Sequence, residues 1–382
     1  MSEAARLGRY EAMLRGLDRR QSLRRLSGRA GVDFASNDYL GLAGSARLRE
    51  AVAAALADGV PVGATGSRLL RGNDPAHAAL EEEAARFFGS EAALFFSGGY
   101  MANLAVIGTL PQKGDLLLMD ELIHASAHEG ARAGKAEPVL FAHNDVGAAE
   151  DAIRAFRTAG GTGKVWIAAE SLYSMDGDRA PLADLLALAD AHDGFLLVDE
   201  AHATGVYGPD GRGLSAAFEG RENVVVLHTC GKAMGGSGAL VTLPQVLADI
   251  IVNRCRPFIF ATAPSPLMAV AAREALAIMR DEPERRERLA ALVAHAGRRL
   301  EATCGLAPSG SQILPVIVGD NGRAMALARL IQAAGYDVRG VRPPTVPQGT
   351  ARLRISLTLN ADLAAVDGLM DVLGAALAEK AA

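Results

Sequence analysis

The sequence predicts an α/β fold: a mostly parallel central sheet flanked by helices, followed by a smaller α+β domain. Two observations predict it. Between about residues 46 and 280, short apolar runs alternate with Ala-rich helical stretches, the rhythm of strands joined by crossover helices. After about residue 284 the rhythm changes to a long charged helix, RRERLAALVAHAGRRLEATCG, then LPVIVGD, another helix and RLRISLTL. The expected organisation is an N-terminal helix and segment over 1–45, a large domain over 46–283 and a small C-terminal domain over 284–382.

The elements follow in order. MSEAARLGRYEAMLRGLDRRQSLRRL opens the chain. It has no apolar core and carries Glu3, Glu11 and Asp18, so it reads as an amphipathic helix and not as a signal peptide. The candidate strands are ALFF (93–96), LLLM (116–119), PVLF (138–141), VWIAA (165–169), FLLV (195–198), VVVL (224–227) and ALVTL (239–243). In such sheets ligands bind beyond the C-terminal ends of the strands. The net charge of −5 comes with basic residues dispersed along the chain, which argues against a nucleic-acid partner. Cys230, Cys255 and Cys304 show no paired spacing, which fits a reducing cytoplasm and neither a disulfide framework nor a metal site. No apolar run is long enough for a membrane span.

The strand FLLV runs into VDEAH (198–202). Two acids and a histidine there would suit a nucleotide-driven helicase if a phosphate loop were present. GTGKV (161–165) has Val165 after its lysine, and CGKAM (230–234) has Ala233, where a P-loop needs Ser or Thr. No strand is followed by G-x-G-x-x-G either, so nucleotide chemistry lacks its cradle.

A bound organic cofactor explains the same residues. The chain has only five lysines, and Lys232 lies just after an apolar strand among small residues, TCGKAMGGSG. Alone it fits a loop beside a turn as well as a Schiff-base lysine. Paired with Asp199 at another strand end, it fits pyridoxal phosphate (PLP), which needs a lysine and an acid for its ring nitrogen. FFSGGYMANLAVIG (95–108) supplies a strand, a Gly-Gly turn and a helix N-terminus for a phosphate, with Gly99 and Tyr100 at its start. Thr229 offers a hydroxyl on the same side. His124, which alone would read as an ordinary loop histidine, could stack on the ring. His202 and Ser174 could meet the ring oxygen, and Glu200 is expected to face away as a structural residue.

With these residues placed, the chain resembles the α-oxoamine synthases, PLP enzymes of fold type I. The matching stretches are SNDYLG (36–41), FAHND (141–145), SMDGDRAPL (174–182), VDEAHATGVYG (198–208), GRG (211–213), TCGKAMGGSGA (229–239), VIVGDNGRA (316–324) and RPPTVPQGTARLRISLT (342–358). The resemblance implies that Lys232 carries the cofactor and moves protons, with Asp199 on the ring nitrogen. It places His202 and Ser174 on the ring hydroxyl, His124 on the ring face, and Gly99, Tyr100 and Thr229 on the phosphate. Arg354 would bind the amino-acid carboxylate, supported by Asn37, and Arg24 would lie near the acyl substrate. It also implies a homodimer with shared active sites, with GATGSRLLRG (63–72) facing the partner. FAHND and RPPTVPQGTARLR point to the member of the family that joins L-alanine to a pimeloyl thioester with loss of CO₂. Sister reactions that take glycine with an acetyl or succinyl thioester would keep every residue named. Arg71 and His228 depart from the pattern, standing where a small and an apolar residue are expected.

Overall fold

A computed structural model describes residues 4–378. The chain divides into two compact units. Among the described residues, the larger comprises 37–174 and 178–288, the smaller 4–36, 175–177 and 289–378.

A two-residue strand, β1 (Val32–Asp33), precedes the seven strands of the larger unit. These are β2 (Ala92–Phe96), β3 (Leu116–Asp120), β4 (Glu137–Phe141), β5 (Val165–Glu170), β6 (Phe195–Asp199), β7 (Val224–Thr229) and β8 (Ala239–Leu243). All seven apolar runs read from the sequence fall within these strands. They form one sheet in the order β2-β8-β7-β6-β5-β3-β4. The pairs from β4 to β7 are parallel, and β8 runs antiparallel to both of its neighbours. The sheet is therefore mostly parallel, as expected, with one reversed strand.

The inner strands are apolar without interruption because both faces are covered, whereas β4, at the edge of the sheet, is exposed over Glu137–Leu140. Leu197, Val225 and Leu227 pack into one core. Leu196, Val198, Val224 and Val226 pack into the other. This is the two-residue period of a strand buried on both sides. Helix Pro75–Phe88 starts at Asp74, whose side chain accepts from Ala76 N–H, and helix Val146–Thr158 starts at Asp145, which accepts from Ala148 N–H.

In the smaller unit, β9 (Ile313–Gly319) is followed by β10 (Tyr336–Asp337), β11 (Arg339–Val341) and β12 (Ala351–Ser356). Strands β11, β12 and β9 form an antiparallel sheet, and β1 pairs with β10 in parallel. Helices Asn321–Ala333 and Leu363–Ala378 belong to this unit. The expected N-terminal helix is present as Ala4–Arg19. Among the described residues, no helix is long and apolar enough to cross a membrane.

Candidate active site

Four of the five strands from β3 to β7 end on a buried polar residue: Asp120, Glu170, Asp199 and Thr229. Strands this apolar have no structural need for polar ends, and one edge of the sheet gathers them. Glu170 stands opposite Asp199 in the β5–β6 register. Burial, then the nearby Asp199 charge, pushes the Glu170 carboxyl up to about 8.

Lys232 follows β7 and lies 2.7 Å, Nζ to Nε2, from His202. On its other side His202 Nδ1 is 2.6 Å from the Tyr39 hydroxyl, which is 3.0 Å from Asn37 Oδ1. These contacts make a continuous path, Lys232–His202–Tyr39–Asn37, that links SNDYLG, VDEAH and TCGK. Gly205 lets the turn after His202 pack there. Its φ is +83°, and a Cβ would fall 2.8 Å from that of Ala233, the residue after Lys232.

The helix Gly99–Thr109 begins beside Thr229, whose Oγ1 would lie 3.5 Å from a Cβ on Gly99. Its N-cap, Gly98, provides no side-chain hydrogen bond, so no N-cap side chain occupies the first N–H groups, the kind of terminus that can hold an anion. Tyr100 is half exposed and stands edge-on to His124, with ring centroids 6.3 Å apart. Burial, reinforced by the Lys232 and His128 charges against that of Asp199, holds His124 below its ordinary value, so the ring is neutral. Ser174 is held through its N–H to Glu170 Oε2 at 3.2 Å.

This donor set fits pyridoxal phosphate: an amine, a carboxylate, an imidazole face, and an uncapped helix N-terminus with a hydroxyl beside it. Buried Asn103 Oδ1 and Glu170 Oε1 have no protein partner, which is expected where a polar ligand is meant to sit.

Arg354 and Arg24 belong to the smaller unit. Arg354 is buried on β12 and donates to Ser356 Oγ at 2.7 Å. Arg352, two residues earlier, is bound to Asp176 Oδ1 at 2.5 Å and to the Met175 carbonyl at 3.1 Å. Of the two arginines in ARLRIS, Arg352 is thus committed to fixing the SMDGD turn. Arg24 is exposed and donates to Thr345 Oγ1 at 3.3 Å, so it sits against the RPPTV stretch.

A scan for known families matches residues 29–372 to aminotransferase class I and II. The 8-amino-7-oxononanoate synthase of Chromobacterium violaceum is 43% identical over 350 residues, covering 91% of this chain and 90% of that one. The enzyme of the same name from Anaeromyxobacter dehalogenans is 43% identical over 361 residues, covering 92% and 88%. This chain belongs to the aminotransferase class I and II family. Its fold is shared with solved members. The serine palmitoyltransferase of Sphingomonas wittichii has a TM-score of 0.87 at 28% identity, covering 100% and 99% of the two chains. The 8-amino-7-oxononanoate synthase of Francisella tularensis has a TM-score of 0.78 at 26% identity, covering 92% and 99%. The fold is that of the type I PLP enzymes.

Within the family frame, other residues of the matching stretches are structural. Glu200 is fully buried and accepts from Ser171 Oγ at 2.7 Å and from Ser215 N–H at 2.5 Å. It holds the GRG turn, where Gly213, at φ +109°, would place a Cβ 2.7 Å from the Glu200 carboxyl carbon. His228, the unexpected residue before Thr229, is wholly buried, stacked 3.7 Å from the Phe88 ring and bonded to Thr204 and Glu219. Arg71 is exposed. Four residues went unread in the sequence: Tyr39, Asn103, Ser126 and Glu170. Signals for two were present. Glu170 ends VWIAAE as Asp199 ends FLLVD, and Asn103 is the one strongly polar residue in an apolar helix.

Proposed function

We infer that this chain is a PLP-dependent acyltransferase that condenses L-alanine with pimeloyl-CoA or pimeloyl-acyl carrier protein. The products are 8-amino-7-oxononanoate, the free thiol carrier and CO₂, a step of biotin biosynthesis. The observation that carries this reading is identity near 43% across nine-tenths of the chain to enzymes named for that product. The backbone resembles serine palmitoyltransferase at least as closely. Substrate choice, however, is written in side chains, where identity to that enzyme falls to 28%.

Pyridoxal phosphate supplies the electron sink that stabilises a carbanion at the alanine α-carbon and again when the carboxylate leaves. The protein's groups do the rest. Lys232 would hold the cofactor's aldehyde carbon, and its Nζ would serve as the general base for the alanine α-proton. His202, 2.7 Å away, orients that amine. Asp199 places a carboxylate against the ring nitrogen, and His202 and Ser174 meet the ring hydroxyl. Gly99, Tyr100 and Thr229 take the phosphate. His124 would face the cofactor ring and donate a hydrogen bond to the thioester carbonyl, the thiolate leaving as the carbon–carbon bond forms. Arg354 takes the alanine carboxylate, with Asn37 beside that end and Arg24 toward the acyl chain. The chain acts as a homodimer with shared sites. Exposed Val62, Leu69 and Leu70 in and beside the 63–72 loop support that assembly.

The test is thiol release by the PLP-loaded protein. L-alanine with pimeloyl-CoA should be strongly preferred to glycine with acetyl-CoA or succinyl-CoA. Preference for a glycine pair would keep the site and overturn the substrate.

A further inference from the structure

Asn103 and Ser126 join Asp199 to His124, and none of the roles above uses them. Asn103 Nδ2 donates one hydrogen to Asp199 Oδ2 at 2.6 Å and the other to Ser126 Oγ at 3.0 Å. Ser126 Oγ is 2.8 Å from His124 Nδ1, and the Ser126 backbone N–H donates to the same nitrogen at 3.3 Å. Asn103 and Ser126 are both buried. The two helices that carry them, Gly99–Thr109 and Ala125–Ala133, approach closely because Gly130 has no side chain. A Cβ there would fall 2.8 Å from Ile107 Cβ and 3.0 Å from the Asn103 carbonyl.

The backbone contact decides the arrangement. The Ser126 N–H can only donate, so His124 Nδ1 must present a lone pair to it. Ser126 Oγ, which accepts from Asn103, then donates its own hydrogen to the same lone pair. Nδ1 meets two donors, and the neutral ring carries its hydrogen on Nε2. Asn103 spends both hydrogens while its Oδ1 stays buried without a partner. A leucine of similar volume would avoid that cost, so packing alone does not account for the amide.

We propose that Asn103 and Ser126 are positioning residues that fix His124 as the neutral Nε2–H tautomer and hold it in one frame with Asp199. His124 then acts as a hydrogen-bond donor and not as a base. The proposal rests on the reading above, in which His124 donates to the thioester carbonyl. The charged groups facing the ring are Asp199 on β6, Lys232 after β7 and His128 on its own helix. Glu170 lies at the end of β5. Asp199 favours the imidazolium. Burial, Lys232 and His128 oppose it, as do the two donors aimed at Nδ1.

The tautomer is read directly by ¹⁵N NMR of histidine-labelled, PLP-loaded full-length protein, with His124→Gln identifying the signal. Nδ1 should appear unprotonated and Nε2 protonated at pH 7. Ser126→Ala should mix the two tautomers and raise the His124 titration midpoint by about half to one pH unit. Ser126→Thr, which keeps the hydroxyl, should restore the original pattern. Asn103→Leu should act like Ser126→Ala and also lower kcat by about tenfold. Wild-type protonation at Nδ1 would overturn the proposal. So would Ser126→Ala that melts earlier yet leaves tautomer and midpoint unchanged. No substrate enters the NMR measurement, so a wrong acyl donor would show only in thiol release, and a wrong tautomer only here.

Discussion

Lys232 Nζ lies 2.7 Å from His202 Nε2, and that contact sets how a proton leaves the amine. When Lys232 is an ammonium, Nε2 accepts, Nδ1–H donates to the Tyr39 oxygen, and the Tyr39 hydroxyl donates to Asn37. When the amine is neutral, each hydrogen can shift one place: Nε2–H donates to Nζ and the Tyr39 hydroxyl donates to Nδ1. Both states keep the Lys232–His202 and His202–Tyr39 bonds, and the second gives up only the Tyr39–Asn37 bond, so His202 follows the lysine at the cost of one hydrogen bond. Tyr39→Phe removes the relay and leaves Nδ1 without its hydroxyl partner. We predict a loss of about tenfold in kcat, near 1.4 kcal/mol, and a displaced limb in the kcat–pH profile. An unchanged profile would make Tyr39 a packing residue. Arg354 belongs to the same scale. A planar guanidinium suits a carboxylate, so Arg354→Ala should raise the KM for alanine far more than that for the thioester. The reverse pattern would move the carboxylate elsewhere.

At the scale of elements, the proposed phosphate site rests on a helix N-terminus and a strand end. The helix Gly99–Thr109 has an uncapped start, and Thr229 closes β7 beside it. In that site backbone N–H groups would provide most of the donors, so losing one hydroxyl should weaken cofactor retention without abolishing it. Thr229→Val should raise the PLP dissociation constant by about 10- to 150-fold, equivalent to about 1.5–3 kcal/mol for a hydrogen bond to a charged group. Equilibrium dialysis would measure it, and no change would remove Thr229 from the phosphate site. The elements were the most legible part of the sequence. The strands of the sheet other than the exposed edge strand β4 are apolar runs because both faces are covered, and uninterrupted apolar runs announce that burial. The reversal of β8 was not legible, because direction leaves no mark on composition. Asn103 and Ser126 were missed for a related reason: their significance lies in two helices meeting at Gly130, and pairing between separate elements has no local signature. Lys232 and Asp199 stood out in the sequence because each sits where its residue type is out of place.

Across the whole molecule, buried charge predicts how stability varies with pH. His143, in FAHND, holds Asp120 at 2.9 Å and Asp178 at 2.8 Å. Burial opposes its charge, but the two carboxylates outweigh burial and raise its pKa to about 10. That stabilisation is complete below the unfolded value near 6.5 and is lost as pH rises toward 10. Glu170 adds a slope of the same sign. Its carboxyl is pushed up to about 8 by burial and by Asp199. The protonated form therefore favours the fold below about 4.5, the unfolded value, and that advantage disappears as pH rises through 8. Both groups belong to the larger unit. So does Trp166, the chain's single tryptophan, which is stacked 4.2 Å from Phe195 on the adjacent strand. Its fluorescence reports the unit in question even if the two units do not unfold together. The urea midpoint should fall from pH 6 to pH 9.5. His143→Gln should lower it at pH 6 and flatten the slope between 6.5 and 9.5. Glu170→Gln should flatten the part below 8, since a neutral amide meets Asp199 without charge repulsion. A wild-type midpoint that stays level across that range would mean that His143 is held neutral, and that FAHND binds SMDGD through neutral hydrogen bonds and not through charge.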